Sequence, residues 1–153
     1  MCIRDSFTIA LQSIPDSAGA RNNLGIALAA QNRPQDALAA FRAAVDAEPK
    51  SAVAHRNLAD ALSSVGRTAE AVEEFKTAIA LDPKDDSAHY NLAVVLLQAD
   101  RPAEAIAALR TTLELTPQSV DAHNNLGIAL GSTGDLDGAT AEQARAQLRG
   151  TRP

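Results

Sequence analysis

The sequence predicts an all-α protein, a solenoid of short antiparallel helix pairs, and three observations carry that prediction. Asn23-Leu24, Asn57-Leu58, Asn91-Leu92 and Asn125-Leu126 recur every 34 residues without an insertion, and a fixed period of that length marks a stacked repeat. Each period holds two apolar patterns of helical spacing, each too short to be stable as an isolated helix. Residues that stop or start helices fall at the same places in successive periods.

Counted from position 1, the repeats run over 18–51, 52–85, 86–119 and 120–150. The first helix of each is centred on Leu at position 7, and the second runs through positions 20, 21, 24, 27 and 28. In the second repeat these are Leu58 with Ala61 and Leu62, then Ala71, Val72, Phe75, Ala78 and Ile79. The turn between the helices falls at position 15, where Asn32, Gly66, Asp100 and Gly134 are the residue types that best tolerate a left-handed backbone. Pro34 and Pro102 suit the first turn of the second helix. Pro49, Pro83 and Pro117 cannot continue that helix, and Ser51, Asp85 and Ser119 stand where the next one wants an N-cap. Small residues fill position 8 (Gly25, Ala59, Ala93, Gly127) and position 20 (Ala37, Ala71, Ala105, Ala139), where paired backbones approach most closely.

This set resembles the tetratricopeptide repeat, whose motif has Leu at 7, small residues at 8 and 20, an aromatic at 24, Ala at 27 and Pro at 32. The first repeat has Leu24, Gly25, Ala37, Phe41, Ala44 and Pro49 at those places. The resemblance covers residues 18–146 and implies a right-handed superhelical solenoid whose first helices line the concave surface. There are departures. Position 4, often Trp in the family, is Arg21, His55, His89 and His123; position 24 becomes Leu109 and Gln143; position 27 becomes Thr112. They bear on local packing rather than on the fold.

Carried backwards, the register makes residues 1–17 a partial repeat, second helix only, with Phe7, Ala10 and Pro15 at positions 24, 27 and 32. Residues 1–6 break it, because Ile3 stands where a small residue belongs. That string is similar to translated sequencing-adapter remnants, the alternative being a divergent native start, so Cys2 and Met1 carry no functional weight. At the other end Thr140, Gln143 and Gln147 make the second helix polar, as a capping repeat needs. Residues 151–153 form a tail, and the chain is expected to be a fragment of a longer protein.

Apolar residues make up 46% of the 153, charged ones 22% and aromatic ones 3%, with no Trp. The core must therefore rest on many small alanine contacts rather than a few large side chains. A formal charge of −5 with scattered basic residues lacks the footprint of a nucleic-acid binder. No apolar stretch reaches the roughly 18 residues that span a bilayer, and no signal peptide heads the chain. A single cysteine excludes an intramolecular disulfide or a cysteine metal cluster. The expectation is a cytoplasmic protein with no cofactor, no nucleic-acid partner and no membrane insertion; composition does not specify its oligomeric state.

His55, His89 and His123 recur at one position, so helix layers about 8–10 Å apart separate them, whereas ligands sharing a zinc lie about 2 Å from it. They are expected to pack between first helices. Glu73, Glu74, Asp82, Asp85 and Asp86 belong to second helices and connections, where a solvated face is the ordinary role. Neither a phosphate loop nor a zincin motif nor a nucleophile elbow is present. No enzyme is expected.

Asn at position 6 of every repeat, Asn23, Asn57, Asn91 and Asn125, is the sharp signal, since helix propensity does not favour Asn in mid-helix. The tetratricopeptide resemblance turns position 6 toward the concave groove, where each amide could meet the backbone N–H and C=O of an extended peptide. The pattern also resembles the asparagine ladder of O-linked N-acetylglucosamine transferase repeats, notably in Ala-His-Asn-Asn-Leu-Gly at 122–127. Position 5 adds Asn22, Arg56, Tyr90 and Asn124 to the lining, and position 9 adds Ile26, Asp60, Val94 and Ile128. Chaperone-binding members grip a terminal carboxylate with Lys and Arg at positions 2, 5 and 6 plus an Asn at 9. Only Arg56 fits in type, so that ligand is not expected.

The expected function is a protein-interaction module holding an extended peptide. The alternatives are a substrate-selecting fragment of a larger enzyme, such as an O-GlcNAc transferase-like glycosyltransferase, and a self-assembling scaffold. A structural role for the asparagines, linking neighbouring helices, competes with the ligand role.

Overall fold

The structure, a computed structural model, describes residues 17–150. The partial repeat expected over 1–17, apart from Ser17, and the tail at 151–153 lie outside the described residues. Within them the chain is entirely helical, with no strand: α1 (Ala18–Ala30), α2 (Pro34–Ala47), α3 (Ala52–Ser64), α4 (Thr68–Leu81), α5 (Asp86–Gln98), α6 (Pro102–Leu115), α7 (Val120–Ser132) and α8 (Leu136–Gly150).

Local chemistry explains the boundaries. Asn32, Gly66, Asp100 and Gly134 all have positive φ, at 58°, 78°, 55° and 89°. Around each, the same two bonds close the helix. In the first, Asn32 N–H donates to Ala29 O and Arg33 N–H reaches back to Leu28 O, both at 3.0 Å. The pair matches a Schellman stop, which needs the left-handed residue between its two donors. The first helices start on side-chain caps: Ser17, Ser51, Asp85 and Ser119 accept from the backbone N–H three residues on, the shortest contact being Ala88 N–H to Asp85 Oδ1 at 3.0 Å.

The second helices begin differently. Arg33, Arg67 and Arg101 occupy the cap position with no side-chain cap bond. Each guanidinium pairs with the acid three residues later, Asp36, Glu70 and Glu104, placing a carboxylate in the first turn where the helix dipole favours it. Asp135 instead caps α8 directly, accepting from Gly138 N–H at 2.9 Å.

The helices fall into two units, divided between Pro83 and Lys84. In the first, α1 packs on α2, α3 on α4, and both α1 and α2 on α3. Alanine makes much of this core: Ala40, Ala44, Ala59, Ala71 and Ala78 are fully buried, with Phe75 and Leu62 as the large side chains. Gly25 is demanded by close approach, since a Cβ there would stand 2.6 Å from Phe41 Cε1. Glycine lets that ring settle onto the α1 backbone.

In the second unit α5 packs on α6, α7 on α8, and both α5 and α6 on α7. Ala88, Ala93, Ala105, Ala122 and Ala129 are fully buried beside Leu109 and Leu96. The departure at Thr112 is absorbed by a bond, its hydroxyl donating to Ala108 O at 3.0 Å. On α8 only Ala139, Glu142 and Ala146 are buried, while Thr140, Gln143 and Gln147 are exposed.

Candidate functional site

The side chains singled out in the sequence sit on the first helices. Position 7 points into the core, as Leu58 and Leu126 show at 4% exposure each, so its neighbours at positions 5, 6 and 9 turn to the side that the second helix leaves uncovered. Ile26 and Ile128, at position 9, are 51% and 58% exposed for that reason.

On this face two amides are tied across repeats. Asn57 Nδ2 on α3 donates to Asn22 Oδ1 on α1 at 2.7 Å. In the second unit Asn125 Nδ2 on α7 donates to Tyr90 Oη on α5 at 3.1 Å. Position 6 of one repeat thus meets position 5 of the preceding one, 35 residues earlier. Each bond uses a single amide hydrogen and fixes the amide plane, leaving the carbonyl oxygen as the acceptor. Asn57, Asn91 and Asn125 are half-buried and Asn23 is exposed; at position 5, Asn22, Arg56 and Tyr90 are half-buried and Asn124 is exposed. The structure brings together Asn22 with Asn57 and Tyr90 with Asn125, and links neither Asn23 nor Asn124 to a described residue.

Two hollows open beside these amides. In the first unit a pocket of about 280 Å³ is lined by the apolar Ile26, Ala29, Ala37, Phe41 and Ala61 and by the polar Asn57, Asp60 and Ser64. In the second unit a polar hollow of about 260 Å³ is bordered by Asp86, Ser87, Tyr90, Asn91 and Asp121. The Tyr90 phenol is held above its usual pKa, first by burial and then by the Asp121 carboxylate, with the Asn125 hydrogen bond opposing them.

The histidines are placed by other bonds. His55 Nε2 stands 3.0 Å from Pro49 O and its Nδ1 2.6 Å from Glu74 Oε2; His123 repeats this with Pro117 O at 3.1 Å and Glu142 Oε2 at 2.5 Å. A carbonyl oxygen can only accept, so Nε2 donates to it and Nδ1 faces the carboxylate. Glu142 also holds Arg145 through its other oxygen. Glu74 is therefore no solvated acid of the second-helix face, as its position suggested, but the partner of a buried histidine. Asp85 and Asp86 likewise have structural roles, the first as a cap and the second accepting from Thr116 Oγ1 at 2.7 Å. The missed signal was in the spacing: an acid lies 19 residues after His55 and His123, whereas Ala108 stands at that distance from His89. Among the described residues no group of His, Cys, Asp and Glu could hold a metal, and no helix is long and apolar enough to cross a membrane.

Comparison with known proteins adds the family. The tetratricopeptide repeat model matches residues 4–52, 56–120 and 97–153. No curated protein matches the chain. Among solved structures, it is similar to MamA, with a TM-score of 0.87 and 24% identity over 94% of this chain and 84% of that one. YrrB, described as a TPR protein with an unusual peptide-binding site, gives 0.81 and 24% over 94% and 74%. MamA from residue 41 onward from Desulfovibrio magneticus RS-1 gives 0.81 and 20% over 88% and 76%. At these identities the likeness is one of fold.

Proposed function

We propose, from the premise that this chain belongs to the tetratricopeptide repeat family, that it is an interaction module holding an extended peptide along its first-helix face. Proteins of this family mediate protein–protein interaction, and YrrB, of the same fold, is described as having a peptide-binding site. The observation that carries the proposal is the state of the position-6 amides. Asn57 and Asn125 are each anchored by one N–H to the preceding repeat, which orients a carbonyl oxygen on a half-buried surface before any ligand arrives. A peptide backbone supplies the N–H groups such oxygens want, and a fixed amide loses less freedom on binding than a mobile one. Affinity then comes from main chain and choice from the hollows between amides. Asn23, Asn57, Asn91 and Asn125 would form the ladder, with Asn22, Arg56, Tyr90 and Asn124 beside it.

The test is calorimetric. Peptides selected from a random library on the parent protein are titrated into the parent and into Asn57→Ala/Asn91→Ala. At about 0.5–1.5 kcal/mol per net hydrogen bond, the pair should weaken every selected peptide by about 1–3 kcal/mol, whatever its sequence. Unchanged affinity for all of them would remove the ladder from the proposal.

A further inference from the structure

Within the peptide-binding function proposed above, on which this inference rests, we infer that Tyr90 binds the ligand directly, its phenolic hydrogen donated to a main-chain carbonyl beside the N–H that Asn125 accepts. Asn125 Nδ2 donates to Tyr90 Oη at 3.1 Å, so the phenol oxygen is the acceptor of that bond and its own hydrogen is still to be placed. No described residue takes it. Two carboxylates border the hollow beside the ring, yet neither is bonded to the phenol: Asp86 accepts from Thr116 Oγ1, and Asp121 acts on it through charge alone. The hollow itself, about 260 Å³, gives a ligand group room to reach the hydroxyl.

A donor and an acceptor therefore stand side by side, the Tyr90 hydroxyl and Asn125 Oδ1, and neither is used by a described residue. In an extended chain the N–H and C=O of one residue point to the same side, as they do in the hydrogen-bonded pairs of an antiparallel sheet. That couple is what the two groups complement. The first unit makes the same arrangement from different chemistry: Asn57 Nδ2 donates to Asn22 Oδ1, which leaves the Asn22 amide hydrogens as donors and Asn57 Oδ1 as acceptor. Asparagine and tyrosine have in common an oxygen that accepts and a hydrogen that can be given away. Were position 5 needed only to hold the next repeat's amide, a carboxylate would accept more strongly, but it would have no hydrogen to offer a ligand.

The experiment uses peptides free of tyrosine and tryptophan, selected from a random library on the full chain. Tyr90 is the chain's one tyrosine and tryptophan is absent, so tyrosine fluorescence reports that ring alone, and peptides that change it on binding are measured by calorimetry. Tyr90→Phe should bind them about two- to twelvefold more weakly, the worth of one hydrogen bond, while keeping the helical circular dichroism of the parent. Tyr90→Asn, which copies Asn22, should restore most of that affinity. A thioamide scan, replacing one peptide carbonyl oxygen at a time by the weaker acceptor sulfur, should find one position where its loss and that of Tyr90→Phe do not add. Should Tyr90→Asn misfold, the thioamide cycle on Tyr90→Phe decides alone. Full affinity in Tyr90→Phe, no recovery in a folded Tyr90→Asn, additive losses at every carbonyl, or no selected peptide that alters the fluorescence would each overturn the inference. The ladder is judged separately, since Tyr90→Phe alters neither amide removed in Asn57→Ala/Asn91→Ala: a loss in that pair with none in Tyr90→Phe leaves the ladder standing and removes the phenol.

Discussion

Replacing Asn57 by alanine sets two opposing terms against each other, and their sizes follow from its surroundings. The variant loses the Nδ2 bond to Asn22 Oδ1 at 2.7 Å, which costs about 0.5–1.5 kcal/mol net because both groups are half-buried and water can replace the partner. It gains helix propensity, since alanine in mid-helix is favoured over asparagine by up to about 0.7 kcal/mol. The sum is a loss between about zero and 1 kcal/mol. For a chain of this length that lowers the melting midpoint by no more than about 4 °C. Asn23→Ala at the equivalent place is the internal control: Asn23 is exposed on α1 and makes no hydrogen bond among the described residues, so only the propensity gain remains and the variant should be slightly stabilised. The difference between the two isolates the bond. Leu58→Ala, beside Asn57 but buried at 4% exposure, should cost about 2–5 kcal/mol. Thermal and urea unfolding of the three variants reads all of this. If Asn57→Ala unfolds as early as Leu58→Ala, the amide is a structural clamp and the account of an available acceptor fails.

Gly25→Ala should destabilise by up to about 2 kcal/mol, the 2.6 Å approach to Phe41 costing about 1–3 kcal/mol against a helix gain of about 1. Gly131→Ala, whose Cβ would meet Ala139 Cβ at an ordinary 3.7 Å, should stabilise; denaturant midpoints compare them. Glu142→Ala strands the buried His123 and should cost about 1–3 kcal/mol, whereas Glu104→Ala breaks an exposed pair with Arg101 and should cost about 0.2–1 kcal/mol, on the same assay. Tyr90 is the chain's one tyrosine, so phenolate absorbance reports it alone. Its folded pKa is raised, so its contribution to stability is present below the free-tyrosine value of about 10 and is lost as pH rises past the folded value. Asp121→Asn should lower the absorbance midpoint, Asn125→Ala should raise it, and Tyr90→Phe should abolish this part of the alkaline stability loss.

What could be foreseen and what could not divides along the range of the interactions. The left-handed stops at Asn32, Gly66, Asp100 and Gly134 and the caps at Ser51, Asp85 and Ser119 depend on a few consecutive residues, so residue type and spacing suffice to find them. The small residues at positions 8 and 20 reveal the close helix approach for the same reason. The His55–Glu74 and His123–Glu142 pairs could not be read that way, because they join side chains 19 residues apart that become neighbours only once the hairpin closes. Glu74 alone looks like any exposed helix acid. The site was half visible: recurrence marked the asparagines, while the donor that Asn57 commits to Asn22 and the depth of the hollow over Phe41 are set by rotamers, on which the 34-residue period is silent.

The central claim, that an anchored amide receives the ligand's main chain, is tested most directly by a double-mutant cycle between Asn57→Ala and a peptide methylated at one backbone nitrogen. Scanning the N-methyl group along a library-selected peptide and measuring affinity by calorimetry for parent and variant should reveal one position where the two losses do not add, with a coupling of about 0.5–1.5 kcal/mol, the worth of one hydrogen bond. Coupling near zero at every backbone nitrogen, in a variant that still folds, would contradict it.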